Sequence, residues 1–193
     1  MKKYYVYYLS VFLILFTAGC HLTIPEEQFL IKKRISYGDS LHLFTTIDEM
    51  VGSGFQPEKT YYAYRFGKIS QLQGTANGKP LHGQYELFYQ KKPVQKGTFR
   101  SGLKHGLWYS WNQEGVLIET CTYKKGRKDG DFIKYDNQGN PVFLGSYDDG
   151  EIDGKATVIN EGKATRFRYK DGIVTDTISS TGFKFPKISK GEK

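Results

Sequence analysis

Four histidines, a scatter of carboxylates and two cysteines are the groups from which this sequence would have to build a catalyst or a metal centre. His82 and His105 each stand immediately before a glycine, and Asp129 and Asp153 continue the same column. Such a row has the donor types of a zinc site, whose nitrogens lie at about 2 Å from the metal. The four positions recur once per hairpin, so neighbours are expected two strand spacings apart, about 9–10 Å. Two ligands of one ion must approach within about 3–4 Å of each other. The row is therefore read as solvated turn residues, and no metal is expected. Gly52-Ser53-Gly54 lacks the Gly-x-Ser-x-Gly spacing of a nucleophile elbow. No Walker-type loop or dinucleotide fingerprint is present. Asp148-Asp149 sit in an expected turn, with no apolar pocket to push one carboxyl pKa up. Cys121 has no Cys-x-x-Cys partner and is expected to be a buried thiol. Nothing here reads as an enzyme, and no cofactor is expected.

The composition points to turns and short strands. Of 193 residues, 22 are Gly and 16% are aromatic, whereas apolar residues reach 38%, below the usual ~45–50%. A large single core is not expected. Gly and aromatics rising together favour strands joined by turns over helices. Two Cys cannot staple a miniprotein or complete a four-Cys zinc site.

Residues 1–19 read as an export signal. Lys2 and Lys3 precede an uncharged, mostly apolar stretch from Tyr4 to Gly19, too short for a bilayer span of about 20 residues but suited to a secretory signal. The stretch ends in Leu15-Phe16-Thr17-Ala18-Gly19-Cys20, which resembles a bacterial lipobox, with Thr17 where Leu is commoner. The resemblance implies cleavage before Cys20, a diacylglycerol on its thiol and acylation of its amine. A multi-chain lipid is a durable anchor, unlike a single chain. His21, not Asp, follows Cys20, which by resemblance to bacterial sorting signals argues against retention in the inner membrane and for the outer membrane. Losing Lys2 and Lys3 leaves a formal charge of +6 in place of +8. In the cell envelope that charge meets anionic lipid, lipopolysaccharide or acidic glycan, or is simply solvated; no nucleic acid is expected as a partner.

A repeat fills the second half. Gly102-Leu103-Lys104-His105-Gly106, Gly126-Arg127-Lys128-Asp129-Gly130 and Gly150-Glu151-Ile152-Asp153-Gly154 recur at intervals of 24. Gly78 to Gly83 is an earlier copy, and an incomplete one runs from Tyr61 to Gly67. Two residues past the second Gly stand Tyr85, Trp108, Phe132 and Ala156; five past it stand Phe88, Trp111, Tyr135 and Ile159. After a polar turn, a second run ends in Phe99, Tyr123, Tyr147 and Tyr169, each three residues before a Gly. Each unit reads as strand, turn, strand, turn. This pattern resembles the bacterial variant of the MORN repeat over residues 61–172, which implies an architecture and no particular activity.

The fold class expected is all-β, an elongated antiparallel sheet of tandem 24-residue hairpins with a small irregular N-terminal segment. The expected divisions are a signal peptide at 1–19, a lipidated linker or packing segment at 20–58, repeats at 59–178 and a basic tail at 179–193. Nine or ten strands would span about 45 Å. Because side chains alternate between faces, Trp108 lies on one side and Leu107, Tyr109 and Trp111 on the other. A single layer can hide neither aromatic face, so a cover is expected from residues 21–58, with a short helix at Thr46 to Val51, or from a partner. The open face is expected to bind through Phe88, Tyr109, Trp111, Ile133 and Tyr135. The basic tail from Thr181 to Lys193 either discourages pairing at the sheet edge or is disordered.

The function expected is that of a non-catalytic lipoprotein, tethered to the membrane through lipid on Cys20, whose sheet is a platform for an envelope protein or glycan. Three alternatives stay open. One is an accessory lipoprotein of an envelope-spanning, type VI-like secretion complex; a second is an antitoxin or immunity protein. The third, an envelope glycan hydrolase, needs paired carboxylates in a cleft.

Overall fold

The computed structural model describes residues 30–48 and 54–178. The expected signal segment at 1–19, Cys20 and the expected tail at 179–193 lie outside the described residues. Within them the chain is all-β, and a continuous antiparallel sheet carries eleven strands in the order β1(Ile31–Tyr37), β2(Ser40–Thr46), β5(Lys79–Tyr89), β6(Lys92–Arg100), β7(Leu103–Trp111), β8(Leu117–Lys124), β9(Arg127–Tyr135), β10(Pro141–Asp148), β11(Glu151–Asn160), β12(Lys163–Lys170) and β13(Ile173–Ile178). Two more strands, β3(Thr60–Arg65) and β4(Lys68–Gln73), leave this path as a hairpin attached to β5.

The two recurrent glycines have different structural duties. The first ends a tight hairpin. At the β8–β9 turn Lys125 and Gly126 both adopt positive φ, 49° and 88°, as a two-residue type I′ turn requires. Gly126 N–H then donates to the Lys104 carbonyl of the preceding repeat at 2.9 Å. Gly102 to Leu81, Gly150 to Lys128 and Gly172 to Ile152 repeat the bond at 2.7–2.9 Å. The second glycine makes a bulge. Lys96 pairs with Tyr109 but Thr98 with His105, so two steps along β6 match four along β7, and Gly106 sits in the excess at φ 67°. The same mismatch recurs around Gly83, Gly130 and Gly154. Bulges bend a strand and increase its twist.

Bending gives the sheet an inner face that hides its aromatics. Tyr85, Phe99, Trp108, Cys121, Phe132 and Ala156 are all buried there. The Trp108 ring meets Phe99 at 4.9 Å, Tyr85 at 5.8 Å and Tyr123 at 6.1 Å, while Phe132 meets Tyr147 at 4.6 Å and Phe143 at 5.1 Å. A third column, unnoticed in the sequence, makes room for them. Gly97, Cys121 and Gly145, also 24 apart, are the small residues set against the large rings.

Four expectations are corrected. The segment before the repeats is not irregular: residues 31–46 form the β1–β2 hairpin, which extends the sheet edge through pairing of β2 with β5. Leu41 and Leu43 point to the outer face and His42 and Phe44 to the inner one, as strand alternation requires. The cover is instead the incomplete repeat copy. Only Ala63 and Tyr64 of β3 pair with β5, which frees the β3–β4 hairpin to turn over the inner face. There Tyr62 packs tilted against Phe99 at 4.9 Å and Tyr64 against Phe44 at 5.4 Å. Thr46, expected to begin a helix, is a buried strand residue, and Ile47 follows in non-helical backbone; residues 49–51 of that expected helix lie outside the described residues. With β1, β2 and the cover, thirteen strands are present among the described residues where nine or ten were expected.

Candidate binding surface

The outer face is organised by one row that crosses all eleven strands of the continuous sheet. Successive register partners are Arg34, Leu43, Glu86, Lys96, Tyr109, Thr120, Ile133, Leu144, Thr157, Arg166 and Ile178. Its centre, from Tyr109 to Leu144, is uncharged, and its ends carry Arg34 and Arg166. Cross-strand neighbours on one face are the contacts that stabilise a sheet, which is why these central side chains are half-buried with no described element packed over them.

Four of the five expected binding residues gather near this centre. Tyr109 and Trp111, two apart on β7, stack with ring centroids 5.9 Å apart and planes at 21°. Ile133 lies in the central row beside Thr120 and Leu144. Tyr135 and Trp111 occupy equivalent positions in neighbouring hairpins, paired with Pro141 and Leu117. Phe88, paired with Pro93 and Leu41, is the equivalent residue one hairpin earlier. The three aromatics stand on alternate strands, about 9–10 Å apart, so they form a spaced line. Beside each, one residue is squeezed out of the register: Val94, Ile118 and Val142. Leu43, Leu117 and Leu144 complete the surface and were missed in the sequence. The strand parity that reveals Tyr109 marks Leu144 as well, whereas Leu43 lies outside the repeat.

The histidine column is not a set of turn residues. His82, His105, Asp129 and Asp153 all lie within strands, because each strand begins three or four residues before the second glycine. His82 is buried; its Nδ1 accepts the Ser101 N–H at 3.2 Å, and its carbonyl accepts the Thr45 hydroxyl. Asp129 faces Lys124 at 3.6 Å, and Asp153 accepts from Lys170 at 2.8 Å, a bond that holds the Asp153 carboxyl below its ordinary range. Among the described residues no group of three or more His, Cys, Asp or Glu is placed to hold a metal ion.

The inner face carries its own electrostatics. Lys104 lays its ammonium 4.2 Å from the Trp108 ring and 5.1 Å from that of Tyr123, and burial, then Lys128, lowers its pKa. Lys128 sits 5.0 Å over Tyr147 and pairs with Glu119 at 3.0 Å. Equivalent positions in the flanking repeats are Leu81 and Ile152, so the aliphatic stems of the lysines take the place of apolar side chains. Cys121 is a buried free thiol whose pKa burial pushes up to about 11. These groups cluster on the inner face, where they pack against the aromatic rings.

No protein-family model matches the chain, and none of the curated proteins matches it.

Proposed function

We propose that the chain is a membrane-anchored, non-catalytic lipoprotein whose repeat sheet is a binding platform for another cell-envelope component, a protein or a glycan. The observation that carries this reading is the Tyr109–Trp111 stack, set in a row with Ile133 and Leu144 on a face that no described element covers. Aromatic side chains bring much contact area at small entropic cost, and Tyr and Trp add a polar tip. Rigid strands hold them at fixed spacing, as a platform needs. The Leu15 to Cys20 motif supports the anchor.

Two measurements on cells test it together. The intact mass of the mature protein is expected to show Cys20 as the first residue, carrying diacylglycerol and an acylated amine. A photo-crosslinking residue at Trp111 is expected to capture one envelope component, and the same residue at Thr177, at the sheet's far end, is not. An unlipidated Cys20 removes the anchor, and equal capture from both positions removes the platform.

A further inference from the structure

We propose that the trough at the β1 end of the outer face docks on anionic membrane lipid and takes a headgroup phosphate on Arg34. Two shallow cavities of 410 and 460 Å3 lie end to end along β1, β2 and β5, and both are lined by Arg34 and Leu43. Lys32 lines one and Lys91 the other, while Leu41 and Phe88 supply apolar floor.

The trough carries a net positive charge. Glu86 pairs with Lys96 at 2.9 Å, and Asp39, bonded only to the neutral Gln90 amide at 3.1 Å, is one carboxylate against Lys32, Arg34 and Lys91. Lys32, Arg34 and Lys91 are exposed, and among the described residues no carboxylate stands within ion-pair distance of any of them. The guanidinium fork matches a phosphate in two parallel hydrogen bonds. On the other side of the same edge strand Ile31 and Tyr37 are exposed, Tyr37 by 68%; tyrosine favours the membrane–water boundary.

Lipid is the anion that chain length favours, a choice that rests on the reading of Cys20 as the anchor. Eleven residues separate Cys20 from Lys32, so a fully extended tether holds the trough within about 40 Å of the bilayer. Such a tether makes the encounter intramolecular, with an effective concentration in the millimolar range. The far end of the sheet has exposed cations too, Lys163, Arg166 and Arg168, more than 140 residues along the chain from Cys20. It is the internal control.

The test uses the mature lipoprotein purified from cells and mixed with vesicles of phosphatidylcholine alone, or with one third phosphatidylglycerol. Flotation with phosphatidylcholine reads the anchor. Acetylation of each lysine, followed by mass spectrometry, reads the trough. Labelling of Lys32 and Lys91 is expected to slow about fivefold when phosphatidylglycerol is present, the worth of one basic residue at an anionic surface, while Lys163 labels at one rate throughout. Arg34→Gln is expected to abolish the slowing with an unchanged circular dichroism spectrum. Equal slowing at Lys163, no slowing at Lys32, or the same slowing by soluble glycerol phosphate without vesicles would each overturn the proposal. Failure to float beside intact slowing would remove the anchor and leave the trough.

Discussion

Gly97 lies flat against the Trp108 indole: a Cβ placed on Gly97 would stand 2.3 Å from Cδ2 and 2.4 Å from Cε2 of that ring. Gly97 has no left-handed backbone, so the demand is for space alone. Trp108 cannot yield, because it is 2% exposed, ringed by Phe99, Tyr85 and Tyr123, and bonded through Nε1–H to the Thr98 carbonyl at 3.2 Å. Gly97→Ala is therefore expected to cost about 1–3 kcal/mol as an overpacking change, read as a lower midpoint in urea with an unchanged slope. A midpoint equal to that of the parent would show that the ring is free to move.

Trp108 and Trp111, three residues apart, are expected to separate stability from binding. Trp108→Ala empties the core and should cost about 3–5 kcal/mol. Trp111→Ala removes a half-buried ring from its stack on Tyr109, a loss of about 1 kcal/mol, and leaves the sheet folded while partner capture disappears. Thermal melts beside the crosslinking assay check both. Global unfolding of the Trp111 variant would return that residue to the fold.

Thr46 is fully buried, and its hydroxyl has no hydrogen-bond partner among the described residues. A buried polar group left unpaired costs about 1–3 kcal/mol. Thr46→Val keeps the β-branched shape and removes the hydroxyl. It is expected to stabilise the protein by about 1 kcal/mol, seen as a rise in thermal midpoint.

Alkali is expected to weaken the sheet through its buried acids. Burial raises the Cys121 pKa from 9.0 to about 11, and burial, first among the causes, raises Tyr85 and Tyr123 from 10.0 to about 12. Below pH 9 these groups are protonated in folded and unfolded chains alike, and stability is insensitive to them. Between pH 9 and about 12 the unfolded chain has lost protons that the folded chain retains, so each pH step favours unfolding. Urea midpoints measured from pH 8 to pH 11 should fall steadily above pH 9, and Cys121→Ala should shift the onset upward by removing the earliest of the three. The same burial predicts that the Cys121 thiol resists labelling at pH 8 until denaturant is added.

The hairpin ladder was legible because its causes are local and periodic. Gly126 and Gly106 each answer a backbone demand that only a few residues in either direction create, and the aromatic columns follow from strand parity. That Trp108 and Trp111 face opposite ways needed nothing more. The β1–β2 hairpin was not legible, since Leu41 and Phe44 share no period with the repeats and their partners on β5 lie more than 40 residues away. The β3–β4 cover depends on a choice that no local rule makes, namely that β3 pairs with only two residues of β5. Nor does spacing show that His82 would be carried into a strand and buried. On the outer face the positions of Tyr109, Trp111, Ile133 and Tyr135 were legible from parity, while the Arg34 trough arises from three strands brought together across the chain.

The outer row runs from Arg34 to Ile178 without closing on itself. Nothing in its geometry counts to eleven. Duplicating one 24-residue unit would move the two termini of the ladder apart by about 9–10 Å and leave every older contact in place, as deleting one would draw them together. The molecule is in this sense a ruler graduated in hairpins, and its reach can be adjusted by recombination without redesigning a core.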